Sequence, residues 1–571
     1  MNPRLAAQTE SPDADRSESP ERKTFSRNGT MKKFFYRLTN QQRMFERPRG
    51  CVRNASFFLV SLLSVVSALS FGTRVAAAEN PNIVLFYIDD MGWGEIAPFG
   101  HQANKTPNLD QMAAEGLCLR QYYTSNTACS PSRAAMLTGT HAGRIEMDGT
   151  VNFPGDNWGL NPSEITIAEM LKEQGYATGC FGKWHLGDQP EFLPLVQGFD
   201  RYYGIPYSND MWAGNTRGHR HTKEPYTPLP VVSQHKPVAY VADAHDQALL
   251  AETFTDKAIE WIEENKETPF FCYVPHAYVH FPRYARKQHF DRAEGAVNRS
   301  TTEEVDDSVG RILNTLRRLK LDENTLVIFT SDNGGVGSPE AMGPLRGNKG
   351  GPKYEGHQRE PMVVWWPGTI PAGAESDEIT MSIDFLPSLA RLVGGKVPTD
   401  RRIDGKDALD VLLGKPGAKS PYSVVHYEEM GVRRGDWKLV RRGKDAKLEL
   451  YDLSTDLSET TNLASENPEL TMELLDLCEA HAKDLVDPTH FRPRAVLDRP
   501  TAPLIPYQHE LPNLRTYLKA ATVETLNGAG QSVPEGQFGG GKQVGQAPRA
   551  KEDAKQKREK QKREKQKKEK R

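Results

Sequence analysis

Two acidic pairs stand at the ends of apolar runs. NIVLFYI (82–88) runs into Asp89-Asp90, and TLVIFT (325–330) runs through Ser331 into Asp332-Asn333-Gly334-Gly335. In open α/β sheets, ligands bind beyond the carboxyl ends of the strands. Three carboxylates and an amide gathered there make an all-oxygen site for a hard divalent cation, Ca2+ or Mg2+. Either pair alone reads equally well as a turn former. A second group is Cys129-Ser130-Pro131-Ser132-Arg133, followed by AAMLTG. Pro131 suits the first turn of a helix, which puts Cys129 at a helix N-terminus, where free N–H groups and the dipole favour negative charge. Arg133 follows one turn later on the same side. As bare chemistry this is an activated thiol beside an anion site; the blander alternative is a small core cysteine ahead of a helix. The third group is GYATGCFGKWH (175–185), in which Lys183 and His185 lie two apart. In extended chain they project to one face, and a cation beside an acid/base group suits a site that binds an anion and moves a proton.

These groups need a scaffold of alternating strands and helices. NIVLFYI, FFCYV (270–274), TLVIFT and MVVWW (362–366) are continuous apolar runs, as in strands covered on both faces. Residues 163–175 read as a helix with Ser163 as N-cap and Gly175 just past its end. Residues 251–264 set Phe254, Ala258, Trp261 and Ile262 on one helical face, and 302–318 do the same with Val305, Val309, Ile312, Leu313 and Leu316. The alternation predicts an α/β fold: a large, mostly parallel sheet sandwiched by helices. Beyond about residue 395 the texture changes. WKLVRR (437–442) and KLELYDL (447–453) read as neighbouring antiparallel strands, followed by a helix near 468–485. The expected organisation is an N-terminal extension and export signal over 1–78, a catalytic domain over 79–395, a smaller C-terminal α+β subdomain over 396–520, and a linker with a charged tail over 521–571.

With these residues in view, the chain resembles the formylglycine-dependent (type I) sulfatases, in their arylsulfatase A-like branch. CSPSRAAMLTG (129–139) matches the family's first signature, and residues 175–185 match its second, GY-x-T-x-x-x-GK-x-H. GIPYSND (204–210), SDNGG (331–335), REPMVVWWPG (359–368) and ELYDLSTDLSETTNLA (449–464) follow in family order, so the resemblance spans about 81–490. It implies an alkaline-phosphatase-like fold and hydrolysis of sulfate esters. It implies that formylglycine-generating machinery oxidises Cys129 to formylglycine, whose hydrated form attacks sulfur. It also implies that Asp89, Asp90, Asp332 and Asn333, with residue 129, hold one Ca2+. Arg133 would then steady the nucleophile, Lys183 would bind sulfate, and His185 would take the proton that triggers sulfate release. In VPHAYVHFPRY, His280 aligns with the acid on the leaving-group side, and His276 is the neighbouring alternative. The last family lysine falls in LRGNKGGPKYEG, which carries one extra residue: Lys349 by counting from Leu345, with Lys353 as the alternative. His357 replaces a second glycine common in this motif. Relatives on the same scaffold keep two other readings open: a phosphatase or phosphonate monoester hydrolase, and an inactive binding protein.

Composition bounds the rest. The 571 residues are 37% hydrophobic and 26% charged, with 22 Phe, 19 Tyr and 8 Trp, enough for a sizeable core. The net charge of −2 hides unlike segments: +7 over 1–78 (13 basic, 6 acidic), +7 over 551–571 (12 basic, 5 acidic), and −16 between them. An acidic body argues against nucleic acid as a partner. Arg47, Arg49 and Arg53 precede the apolar run Phe57 to Phe71, and Ala76 and Ala78 satisfy an A-x-A cleavage pattern. That order is a secretory signal peptide, with translation starting at Met1, Met31 or Met44 and export to periplasm or medium. The run is shorter than the ~20 residues of a membrane span. Residues 211–238, with Trp212, Arg217, His219, Arg220, His221, Tyr226 and His235, read either as a grip on a sulfated sugar or as an ordinary exposed loop; the expected substrate is a sulfated carbohydrate or an aryl sulfate. The KEDAKQKREK-type tail reads as a solvated segment or as a tether to an anionic polymer. The six cysteines contain no CxxC pair, and Cys118, Cys180, Cys272 and Cys478 read as core residues.

Overall fold

The computed structural model describes residues 80–519, apart from 220–222, 338, 352, 443–446 and 506–509. The export signal with Met31 and Met44, Cys51, Arg220, His221 and the charged tail lie outside the described residues.

Among these residues one large sheet carries the fold. Its strands are β1 (Asn82–Ile88), β2 (Leu117–Tyr123), β3 (Ala177–Lys183), β4 (Arg201–Ile205), β5 (Leu229–Ser233), β6 (Lys236–Val241), β7 (Phe270–Val274), β8 (Thr325–Ser331), β9 (Arg359–Trp365), β10 (Ala374–Ser376) and β11 (Thr380–Met381). The order is β10-β2-β9-β8-β1-β7-β3-β4-β5-β6, with β11 also on β2. The centre, β8-β1-β7-β3-β4, is parallel, and β9, β5 and β6 run antiparallel to their neighbours. Every residue of β1, β7 and β8 is buried, as their unbroken apolar runs require.

The pleat of β1 divides the core in two. Ile83, Leu85 and Tyr87 pack with helices α2 (Cys129–Thr138), α3 (Ile167–Glu173) and α6 (Phe385–Val393). Val84, Phe86 and Ile88 pack on the other face with α1 (Pro107–Ala114), α4 (Leu250–Glu264) and α5 (Val297–Leu319). The apolar faces read from sequence over 251–264 and 302–318 are the buried faces of α4 and α5. Helix α3 starts later than its sequence suggests. Thr166 accepts from the Glu169 N–H while Glu169 returns a bond to the Thr166 N–H, so this reciprocal pair caps the helix and Ser163 does not.

Beyond the main sheet, β12 (Val425–His426), β13 (Gly431–Arg434), β14 (Trp437–Arg442) and β15 (Lys447–Asp452) form an antiparallel sheet. Helix α7 (Pro468–Leu485) packs Leu474 and Cys478 onto its Val432, Leu439 and Leu450. From the opposite side of this sheet the buried Lys438 Nζ reaches Glu355 at 2.8 Å and Glu459 at 3.0 Å, over the ring of Tyr427 at 4.4 Å. Lys438 thus ties the small sheet to the turn that leads into β9.

Trp212 and Tyr226, expected on a substrate-gripping surface, are buried in the core around β4 to β6. Their segment is largely the β5–β6 hairpin and its approach, which packs inward. Arg217 and His235 are exposed. Cys118, Cys180, Cys272 and Cys478 are free and buried.

Candidate active site

Four adjacent parallel strands end together. β1 delivers Asp89 and Asp90, β8 delivers Asp332 and Asn333, β3 delivers Lys183 as its last residue, and the loop after β7 carries His276 and His280. Backbone bonds lock the strand ends in step: Asp332 N–H donates to Ile88 O at 2.9 Å, Asp89 N–H to Tyr278 O at 3.1 Å, and Lys183 N–H to Pro275 O at 2.7 Å. Helix α2 points its first residue, Cys129, at the same spot. Asp89, Asp90, Asp332 and Cys129 each place a ligand atom within 4.8 Å of the others.

The sulfur of Cys129 lies 3.2 Å from Asp89 Oδ1 and 4.0 Å from Asp90 Oδ1, and Lys349 Nζ donates to it at 2.9 Å. Burial and the adjoining Asp89 carboxylate push this thiol well above its ordinary range, outweighing Lys183 and Lys349. This environment favours the neutral thiol over the thiolate that the helix N-terminus alone suggested. Arg133 is fully buried. Its Nε and Nη2 donate to Asp332 Oδ2 at 3.0 and 2.8 Å, its Nη2 lies 3.5 Å from Asp89, and its Nη1 donates to Lys183 O at 2.9 Å.

Lys183 binds Asp89 Oδ2 and donates to Ser208 Oγ at 3.1 Å. Ser208 was not among the residues read as functional; its signal was its place in GIPYSND, directly after β4. His185 does not continue the extended chain. It adopts a left-handed backbone, with φ of 64°, so the shared face expected for Lys183 and His185 does not arise from strand geometry. Its Nε2 meets Asn152 O at 3.0 Å, and its Nδ1 is buried without a partner among the described residues. Burial, Lys183 and Arg133 hold the ring well below the usual histidine range, so it is neutral in this arrangement.

The two alternatives separate in space. His280 Nε2 stands 3.6 Å from Asp90 Oδ2, with its side chain 14% exposed at the mouth of the site. His276 is fully buried against Ser308 Oγ at 2.8 Å, and burial lowers it to about 4. Lys349 Nζ lies 2.6 Å from Asp90 Oδ1, whereas Lys353 Nζ turns to Glu428 at 3.6 Å. His357 explains the loop between them. A Cβ on Gly347 or Gly351 would lie 2.2 or 1.9 Å from its ring, so the loop wraps the imidazole only because both positions are glycine.

The site's charges explain what it can hold. Despite burial, Lys183, His280, Arg133 and Lys349 pull Asp89 well below the carboxylate range. Burial and the Asp89 charge push Asp332 up to about 7, against Arg133. Crowded carboxylates resist simultaneous ionisation unless a cation joins them. Asn333 donates Nδ2 to Asp90 at 2.8 Å, and its Oδ1 is buried with no partner among the described residues. Three carboxylates and an orphaned amide oxygen fit a hard divalent cation, and the cysteine sulfur is the one soft donor in the set.

A family model described as sulfatase matches residues 81–395, and one described as N-sulphoglucosamine sulphohydrolase, C-terminal, matches 352–482. The chain is 35% identical to N-acetylgalactosamine-6-sulfatase of Canis lupus familiaris over 396 residues, covering 66% of this chain and 74% of that one. It is 37% identical to arylsulfatase A of Homo sapiens over 393 residues, covering 64% and 73%. It superposes on the crystal structure of Ps i-CgsB in complex with k-i-k-neocarrahexaose with a TM-score of 0.62 and 26% identity, covering 72% and 95%. The sheet and its flanking helices are thus the alkaline-phosphatase-like fold that the sequence resemblance implied.

Proposed function

The chain belongs to the sulfatase family of sulfuric ester hydrolases, and we propose that it is an exported sulfatase acting on sulfated carbohydrates, with aryl sulfates as simpler substrates. In this reading residues 79–395 form the catalytic domain and 396–520 the C-terminal subdomain. Cys129 is converted to formylglycine, and Asp89, Asp90, Asp332 and Asn333 hold one Ca2+ together with residue 129. The observation that carries the reading is the environment of Cys129: a helix N-terminus, an otherwise all-oxygen donor set, and Lys349 Nζ 2.9 Å from its sulfur. An oxygen nucleophile at this position would complete a hard-cation site that sulfur completes badly.

Once present, formylglycine supplies the attacking oxygen and Ca2+ supplies electrophilic pull on the sulfate. The chain's own groups do the rest. Lys183 and Lys349 offer two ammonium groups to the sulfate oxygens, preorganised by Asp89, Ser208 and Asp90. Arg133 fixes Asp332 and ties it to the Lys183 backbone. His280, at the open mouth, donates a proton from Nε2 to the departing alcohol. His185, enclosed and neutral, takes a proton from residue 129 when sulfate leaves.

A carbohydrate substrate is supported by the sulfatases named for N-acetylgalactosamine-6-sulfate and by the relative solved with a neocarrahexaose. Export is supported by the Arg47–Ala78 pattern, and among the described residues no helix is long and apolar enough to cross a membrane. Turnover of a sulfate ester and a phosphate ester of one alcohol tests the reading. The sulfate ester should have the higher kcat/KM; preference for phosphate would overturn it.

A further inference from the structure

The C-terminal sheet sends one carboxylate into the neighbourhood of residue 129. Glu428 begins the short turn Glu428–Met430 between β12 and β13. It is buried and held at φ of 52°, a left-handed conformation that side-chain-bearing residues rarely adopt without a local reason. Its two oxygens face different parts of the site. Oε1 accepts from Asn126 Nδ2 at 2.5 Å, and Asn126 Oδ1 in turn accepts from the Ala128 N–H at 3.1 Å, immediately before Cys129. Oε2 faces Lys353 Nζ at 3.6 Å, four residues after Lys349.

Those two segments are the ones that meet at the reacting position. Gly350 N–H donates to Thr127 O at 3.1 Å, Lys349 N–H donates to Gly335 O at 3.1 Å, and Lys349 Nζ reaches Cys129 Sγ at 2.9 Å. The strand-to-helix turn that presents residue 129 and the loop that presents Lys349 are therefore joined twice: once by their own backbones and once through Glu428. Burial pushes the Glu428 carboxyl up to about 7, Lys353 opposes this, and Glu429 and Asp148 add to it. A carboxylate is hard to keep charged here, and its ion pair with Lys353 is what favours that form.

We propose that Glu428 is a positioning residue for the sulfate site, a clamp from the C-terminal sheet that sets Lys349 against residue 129. The proposal rests on the sulfatase reading of that site. It makes the small sheet part of the catalytic apparatus: deforming the β12–β13 turn displaces Lys349 relative to residue 129.

The test titrates inorganic sulfate calorimetrically into the full-length, Ca2+-loaded protein and measures turnover of an aryl sulfate. Glu428→Gln keeps the shape and loses the charge; Glu428→Ala loses both. Glu428→Ala should weaken sulfate binding and lower kcat by about tenfold, and Glu428→Gln by less, because the amide still accepts from Asn126. The coupling decides: in Lys349→Met protein, adding Glu428→Ala should cause no further loss, since the clamp acts through Lys349. Full additivity of the two losses, or Glu428 variants that bind sulfate and turn over like wild type, would overturn the proposal. So would a loss in kcat that vanishes when normalised to the folded, modified fraction. A wild-type protein that neither binds sulfate nor cleaves its esters would overturn the sulfatase reading itself, which separates the two failures.

Discussion

Replacing Arg133 by lysine preserves charge and removes geometry. The guanidinium makes two bonds to Asp332 Oδ2, at 3.0 and 2.8 Å, one to Lys183 O at 2.9 Å, and a 3.5 Å contact with Asp89. An ammonium on a shorter, unbranched stem can keep one of these. Two bonds to charged or buried partners are lost, at about 1.5–3 kcal/mol each. That puts the loss at about 3–6 kcal/mol, overlapping the range for breaking a buried ion pair. Urea unfolding without Ca2+ gives the figure from the shift in midpoint at unchanged slope. Arg133→Met should cost more than Arg133→Lys, because it also strands Asp332 without a counter-charge. A loss below about 1 kcal/mol in the lysine variant would refute the assignment of Arg133 as the group that holds the carboxylates in place.

Other consequences follow from the same geometry. Adding Ca2+ to a hundred times its dissociation constant should stabilise the fold by about 2.7 kcal/mol, and chelation should reverse this; identical unfolding midpoints with Ca2+ and with chelator would contradict the cation site. Lys438→Met should cost about 3–5 kcal/mol by removing the ammonium that Glu355 and Glu459 share, read from thermal unfolding; an unchanged midpoint would show that the pairing is dispensable. His141, His426 and His481 form a seam in which His481 lies 4.9 and 4.1 Å from the other two rings, and each has a buried ring nitrogen without a partner. Burial lowers His426 to about 4 and His141 and His481 below the usual histidine range. The folded state then binds fewer protons than the unfolded state, so stability is present above about pH 6.5 and is lost as pH falls toward 4, by about 3 kcal/mol for His426 alone. His426→Phe should flatten that slope; an unchanged slope would remove His426 from the account.

Much of the catalytic half was legible because its signals are local. The runs 82–88, 270–274 and 325–330 have apolar middles and are buried at every position, so strand and burial could be read together, and in 82–88 and 325–330 so could the polar residues that follow. The acidic pairs, Cys129, Arg133 and Lys183 fall next to those signals and do converge. What escaped depends on contacts distant in sequence or on backbone that pattern does not reveal. Ser163 and Thr166 are both plausible caps, and the return bond from Glu169 decides between them. Trp212 and Tyr226 looked like surface aromatics because their segment is polar, but they pack onto the β5–β6 hairpin. His276 and His280 both follow β7; packing of His276 against Ser308 on α5, and the place of His280 beside Asp90, separate them. Glu428 meets Asn126 across 302 residues of chain, with nothing local to mark it.

The central claim is the conversion of Cys129, and mass spectrometry of the peptide spanning residue 129, from protein made in its native host, tests it most directly. Replacement of the thiol by an aldehyde lowers the peptide mass by about 18 Da. The account predicts that shift, in step with sulfatase activity. An unmodified thiol at residue 129 in protein that still cleaves sulfate esters would contradict it.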